Sequence, residues 1–218
     1  MRLAAFVGLA VPKVEYMTFG RAVLVVERYD RVPGPDASIE RIHQEDSCQA
    51  LGIMHDRKYQ ADGGPSFKDL AGLIRSACSE PLPCIEALLR IALFNMLIGN
   101  CDAHGKNFSL IYRGERTDLA PFYDLVATAA YPDLETRLSM RIGKEYRIDR
   151  IGKADLESFA LDVGVKPRAV LETRDSMISS ISGLWESAAS LPELARYADL
   201  IRMIRNGFDE RAKNISSK

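Results

Sequence analysis

Four polar side chains stand within six residues of this chain, Asp102, His104, Lys106 and Asn107, and a second carboxylate, Asp124, follows seventeen positions after the asparagine. Carboxylate and amide oxygens are the hard ligands that magnesium takes. A carboxylate outside the metal shell can receive or orient the proton of a hydroxyl, and a lysine can neutralise charge developing on a phosphate. Gathered in one place, the set suits transfer of a phosphoryl group from a magnesium-bound nucleotide to a hydroxyl. Such centres use one Asp at the attacking hydroxyl, an Asn five residues on, and an Asp after a hairpin to hold the metal. The step from Asp102 to Asn107 is five.

The neighbouring sequence says how these residues are held. From Ile85 the apolar positions Leu88, Leu89, Ala92 and Met96 recur at three-to-four spacing, which predicts a helix with a buried face, stopped by Gly99 and Asn100. Phe108, Leu110 and Tyr112 alternate with polar neighbours, a turn falls at Arg113 to Arg116, and Thr117 to Pro121 returns. This reads as a hairpin ending at Phe122, Tyr123 and Asp124, which would bring Asp124 back beside Asp102. Gly99, Gly105 and Lys106 imitate a Walker A loop, but five residues separate the glycines and Asn107 stands where Ser or Thr is required.

The same run resembles the HipA-like kinases, bacterial serine/threonine kinases best known as toxins of toxin–antitoxin pairs. The elements of resemblance are an apolar helix ending Asn95, Leu97, Ile98, Gly99, then Asp102, His104, Asn107 and Phe108, a hairpin, and Leu119, Pro121, Tyr123 and Asp124. The Asp-x-His-x-x-Asn order is also similar to that of phosphoinositide kinases. The resemblance implies an α+β fold, mostly α-helical, like the large lobe of a protein kinase, with a short N-terminal β-hairpin and hinge left from the small lobe. It divides the chain at 1–31, small-lobe remnant and hinge, and 32–218, catalytic lobe. It also implies ATP and Mg²⁺, with Asp102 as catalytic carboxylate, Asn107 and Asp124 on the metal, and Lys106 at the γ-phosphate. His104 would steady the phosphate or Asp102, or be a neutral imidazole bonded to the loop backbone.

Further matches run toward the N-terminus. Lys13 to Met17 and Ala22 to Arg28 are β-rich around Phe19 and Gly20, so a hairpin is expected, and the unbroken run Val23 to Val26 predicts a strand covered on both faces. The following Glu27, Arg28, Tyr29, Asp30 and Arg31 resemble the family's hinge, implying adenine contacts through the main chain of Glu27 and Tyr29; the alternative is a plain strand end with an Arg–Asp surface pair. Gln44, Glu45 and Asp46 are similar to a family segment that opens a helix, with Gln44 near the phosphates and metal. Alternatively, the two acids simply favour a helix N-terminus. Lys58 to Pro65 also matches the family, with no physical task beyond a turn set by Gly63, Gly64 and Pro65. Ser66 is placed to cap the next helix.

After Asp124 the pattern predicts a short helical piece to Ala130, strands at Arg137 to Ile142 and near Tyr146 to Ile148, and helices at Lys153 to Val163, Arg168 to Ala189 and Glu193 to Lys213. Ile181, Leu184 and Trp185 belong in the core, and the tail from Asn214 is expected to fray.

At 218 residues one domain is the prior. Twenty-nine Lys and Arg against thirty Asp and Glu give a net charge of -1, which supplies no electrostatic reason for nucleic acid or an anionic membrane as direct partner. Cys48, Cys78, Cys84 and Cys101 show no C-x-x-C pair, so neither zinc nor a disulfide framework is expected, and scattered thiols, Cys101 among them as a packed one, fit a reducing cytoplasm. Met1 to Val11 is too short and too weakly charged for a signal peptide, and no run approaches the roughly twenty apolar residues of a membrane span.

In the family a glycine-rich loop and an ATP-binding lysine lie upstream of the part that Met1 matches, and neither is visible here. The expected partners are therefore a protein bearing a Ser or Thr hydroxyl and either a helix-turn-helix antitoxin or a separately supplied N-terminal lobe. A competing reading is a degenerate lobe that serves as an interaction module. A magnesium phosphohydrolase is a remote third.

Overall fold

The computed structural model describes residues 1–189 and 192–217, leaving aside the side chains of 186–193 and 217. It is an α+β chain in which four small antiparallel sheets border a helical body. A short helix, α1 (Arg2–Phe6), leads into a hairpin of β1 (Val14–Phe19) and β2 (Arg21–Val26), turned at Gly20 with φ +70. Next come β3 (Arg31–Pro33) paired with β4 (Ile39–Arg41), and β5 (His43–Asp46) running into a single helical turn, α2 (Ser47–Ala50). The helices α3 (Phe67–Ala77) and α4 (Pro81–Ile98) precede β6 (Ser109–Arg113) and β7 (Arg116–Leu119), and the sheet order is β5-β6-β7. A pair of strands, β8 (Arg137–Ile142) and β9 (Glu145–Arg147), then gives way to α5 (Lys153–Val163), α6 (Pro167–Ala189) and α7 (Ala198–Ser217).

Helix α4 is the centre of the body. Proline at its first turn is pre-set for a helix start, and twelve of its eighteen residues are buried, so it is apolar on every side rather than along one stripe. It is long and apolar enough by composition to cross a membrane, but packing against α3, α6 and α7 accounts for that character. Leu88, Ile91, Leu93 and Leu97 are fully enclosed, and each contributes roughly 1.5–3 kcal/mol by leaving water. Around it, α3 starts in a capping box in which Ser66 Oγ accepts from Asp69 N (3.2 Å) and Asp69 Oδ2 accepts from Ser66 N (2.9 Å), as the sequence predicts for Ser66. Ile181 and Trp185 of α6 are buried, with Trp185 edge-on to Phe208 of α7.

Several expectations need correction. The run Val23 to Val26 is not covered on two faces: Leu24 is 61 % and Val25 41 % exposed, because β2 pairs only with β1, and the 3-10 turn Pro192–Tyr197 reaches the hairpin at Tyr16 of β1. The Gln44-Glu45-Asp46 segment opens a helix through Asp46, the N-cap of α2, but Gln44 itself is a strand residue. It lies in β5 opposite Ile111, and the helix begins only after Asp46. The last helix starts as a 3-10 turn at Pro192–Tyr197, and it stays helical through Ser217, with Ile215 buried and its carbonyl accepting from Arg174 Nη1 (2.8 Å), while Lys218 lies outside the described residues. The four cysteines are all buried free thiols.

Candidate active site

The site is built on the C-terminal end of α4. Gly99 caps that helix at φ +82, a left-handed conformation that costs an L-residue about 1–2 kcal/mol, and a Cβ there would lie 2.9 Å from Ala129 Cβ. The carbonyl of Leu97, one of those a helix end leaves unpaired, accepts from Arg211 Nε of α7 (2.9 Å). Burial holds that guanidinium down at about 10. The loop beyond Gly99 is fastened residue by residue. Cys101 N donates to Thr128 Oγ1 (2.8 Å), and the Cys101 carbonyl accepts from both Ser139 N and Ser139 Oγ (2.8 Å each).

Asn100, only 2 % exposed, joins the two carboxylate-bearing segments. Its Oδ1 accepts from Asp102 N (3.3 Å), while its Nδ2 donates to the Asp124 carbonyl (3.3 Å) and to Asn95 Oδ1 (3.2 Å). One carboxamide therefore spans the catalytic-loop candidate and the end of the β6–β7 hairpin. The carboxylate of Asp102 is exposed and accepts from Tyr59 Oη (3.1 Å).

Asn107 and Asp124 meet directly: Asn107 Nδ2 donates to Asp124 Oδ2 (2.9 Å), and Asn107 Oδ1 accepts from His104 N (3.0 Å). Tyr123 Oη donates to the Lys106 carbonyl (2.6 Å) and fixes the hairpin against the loop. Asp124 sits at φ +56, in the left-handed region that few residues but Gly, Asn and Asp enter, a form of local strain that collects at functional sites.

His104 is buried. Its Nδ1 has no hydrogen-bond partner, and Tyr59 meets its ring edge-on at 5.4 Å. Desolvation, helped by nearby Lys58, pushes the imidazole below its ordinary value and keeps it neutral. Lys106 is not turned toward open space. Its Nζ pairs with Asp46 Oδ2 at 2.7 Å, and that bond holds the ammonium above its usual range.

Gln44 Oε1 accepts a hydrogen bond from Tyr29 Oη, whose ring lies 6.0 Å from Tyr123. Burial raises the Tyr29 phenol to about 12. Thus Tyr29 and Gln44 join the edge of the Asp124 segment, and the side chain of Tyr29 takes part where only its main chain was expected to. Glu27 N–H donates to the Lys13 carbonyl (2.9 Å), so that group belongs to the hairpin. Asp30, 2 % exposed, binds Arg28 Nε (2.7 Å) and Arg31, so the Arg–Asp pair is present with its carboxylate buried and the Arg28 side chain 62 % exposed.

Among the described residues no cluster of three or more His, Cys, Asp or Glu could hold an ion by itself. Asn107 and Asp124 offer a smaller set suited to magnesium, which keeps phosphate and water oxygens in most of its shell. Asn107 Oδ1 retains a second lone pair beyond the one given to His104 N.

Sequence reasoning missed five contributors. Asn100 was read only as a helix stop. Tyr59 lay in a matched loop without a task, yet that loop supports Asp102 through Tyr59 and Gly105 N through the Lys58 carbonyl (3.2 Å). Thr128, Ser139 and Arg211 come from distant segments and carry no local signal.

Comparison with known proteins identifies the family. The family model described as the HipA-like C-terminal domain matches residues 1–185, so the chain belongs to the HipA-like kinase family. It is 36 % identical over 218 residues to the Shewanella oneidensis serine/threonine-protein kinase toxin HipA, covering 94 % of this chain and 47 % of that protein. The Sinorhizobium fredii protein Y4mE is 43 % identical over 196 residues, again covering 88 % and 47 %. The chain thus spans about half the length of these curated relatives.

Among solved structures, the Shewanella oneidensis HipA, HipB and operator DNA complex superposes with a TM-score of 0.91 at 31 % identity, over 100 % of this chain and 54 % of that one. The Helicobacter pylori proinflammatory kinase CtkA shares the fold, with a TM-score of 0.62 at 13 % identity over 99 % of this chain and 81 % of that one.

Proposed function

We propose that this chain is the catalytic lobe of a HipA-like protein serine/threonine kinase that moves the γ-phosphate of ATP to a protein hydroxyl. The observation that carries the reading is the convergence at Asn100, whose amide reaches Asp102 on one side and Asp124 on the other, with Asn107 bonded to Asp124. Asp102, held at Oδ1 by Tyr59, takes up the proton of the acceptor hydroxyl as its oxygen bonds to the γ-phosphorus. The bond from that phosphorus to the bridging oxygen breaks, and its electron pair leaves with ADP. Asn107 and Asp124 hold the metal, which when bound neutralises charge on the phosphates. His104, neutral and enclosed, shapes the loop around Asn107, while Gln44 and Tyr29 border the nucleotide side and the main chain at Glu27 and Tyr29 meets the adenine edge.

On this reading, residues 1–31 are the hinge side of a small lobe, and 32–218 the large one. The exposed apolar side chains of the β1–β2 hairpin, Phe19 at 67 % and Leu24 at 61 %, support a small lobe packing there, in the same polypeptide or from another. The solved Shewanella oneidensis relative is a toxin–antitoxin complex of HipA, HipB and operator DNA, which supports an antitoxin as a partner.

The test is radiolabel transfer from [γ-³²P]ATP in the presence of magnesium, by the chain joined to its small lobe. Transfer should vanish in Asp102→Ala, and transfer that persists in that variant overturns the assignment. A kinase-like lobe that only binds partners is favoured by one observation, the engagement of Lys106 by Asp46. Millimolar Mg-ATP raising the melting temperature counts against that second reading.

A further inference from the structure

Beside Asp102 lies a cavity of about 560 Å³ whose walls include Leu134, Glu135 and Arg137. A second, of about 630 Å³, shares those three residues and extends to Tyr146 and Arg147. The shared wall makes them one open trough, beginning at the Asp102 carboxylate and ending on the β8–β9 pair. Its near side is tied to the site, since Ser139 of β8 donates twice to the carbonyl of Cys101, the residue before Asp102.

Charge shifts along the trough. Asp62 and Asp102 line only the first cavity and Arg147 only the second, while Glu135 and Arg137 line both. The two arginines are direct partners in the antiparallel register, and like charges placed opposite one another weaken a strand pair. Arg147 is relieved in part by Asp149 Oδ1 at 3.2 Å. Arg137 has only the face of Tyr146, 4.7 Å from its guanidinium carbon, and no carboxylate among the described residues. An exposed guanidinium resting over an aromatic ring and facing a groove is suited to a carboxylate arriving from outside.

We infer that this trough seats the acceptor polypeptide in extended form, with its Ser or Thr at Asp102 and an acidic side chain a few residues away on Arg137 and Arg147. The inference rests on the kinase reading above and adds the substrate class, a hydroxyl segment with a neighbouring Glu or Asp.

The experiment pairs two readouts on the chain with its small lobe, using Ser peptides that carry Glu at each flanking position in turn and an otherwise identical neutral peptide. In phosphate transfer, Arg137→Gln combined with Arg147→Gln should raise KM for the best acidic peptide roughly tenfold, with kcat and the neutral peptide unchanged. Arg137→Glu should move the preference to a Lys-bearing peptide. Fluorescence polarisation without nucleotide should show the same roughly tenfold loss of binding. Both arginines are exposed, so the variants retain the fold. Equal effects on acidic and neutral peptides, or no selectivity in wild type, overturn the trough assignment even when transfer occurs. Selective peptide binding without any transfer leaves the trough standing and removes the kinase reading.

Discussion

Replacing Asn100 by alanine should loosen the whole site from one point. The side chain is 2 % exposed and makes three hydrogen bonds, to Asp102 N, the Asp124 carbonyl and Asn95 Oδ1, at 3.3, 3.3 and 3.2 Å. These are at the long end of the N–H···O range, so each is taken at about 1 kcal/mol, toward the low side of what a buried partner left unpaired costs. Asn95 is itself buried and has no water to turn to. The sum is about 3 kcal/mol, and for a chain of this size each kcal/mol moves the melting temperature by roughly 2–4 °C, giving a fall of roughly 6–12 °C.

Urea unfolding and calorimetry measure the two quantities. Asn100→Asp keeps the size and the acceptor for Asp102 N but loses the donor and sets a third carboxylate between two others, so it should match alanine in stability and bind Mg-ATP more weakly than alanine does. A loss below about 0.5 kcal/mol in Asn100→Ala, the range of an ordinary surface change, refutes the clamp.

Three further outcomes are expected. Asp30 is held at about 2 by hydrogen bonds from Arg28 and then Arg31, below its ordinary 3.8. A depressed carboxylate stabilises above its unfolded value and loses that stability as pH falls through the folded one. Asp30→Asn should therefore flatten the decline between pH 4 and 2 and lower stability at neutral pH, read from urea midpoints across pH. Gly99→Ala should cost about 2 kcal/mol or more, the left-handed strain plus the close approach to Ala129, measured by the same unfolding; a neutral result would contradict the cap geometry. Tyr59→Phe removes one exposed hydrogen bond to Asp102, so stability should stay within about 0.5 kcal/mol while kcat for transfer drops; unchanged kcat would show that Tyr59 does not position the carboxylate.

The sequence announced the parts of this molecule whose causes are local. The stop at Gly99, the β6–β7 hairpin, the strand Arg137–Ile142, the helix Lys153–Val163 and the Ser66 cap follow from spacing, turn residues and side-chain chemistry, and the structure has them at or near the expected bounds. The return of the hairpin was legible too, but the neighbour expected for Asp124 was Asp102; its carboxylate bonds to Asn107, and Asp102 is linked to the Asp124 segment through Asn100. What stayed hidden depends on distant partners. Lys106 could not be known to pair with Asp46, sixty residues earlier, nor Arg211 to reach back to Leu97. The run Val23 to Val26 misled because apolar continuity reports a need for cover and not whether the described residues supply it.

The most direct test of the central assignment is manganese binding, followed by electron paramagnetic resonance, with a non-hydrolysable ATP analogue present and Mn²⁺ standing in for Mg²⁺ as a hard-oxygen cation. Asp124→Asn should weaken metal affinity by roughly tenfold or more, while Asp102→Asn should leave it within about twofold, because only the first carboxylate is assigned to the metal. Equal affinity in wild type and Asp124→Asn, or a larger loss in Asp102→Asn, would contradict the division of roles between the two aspartates.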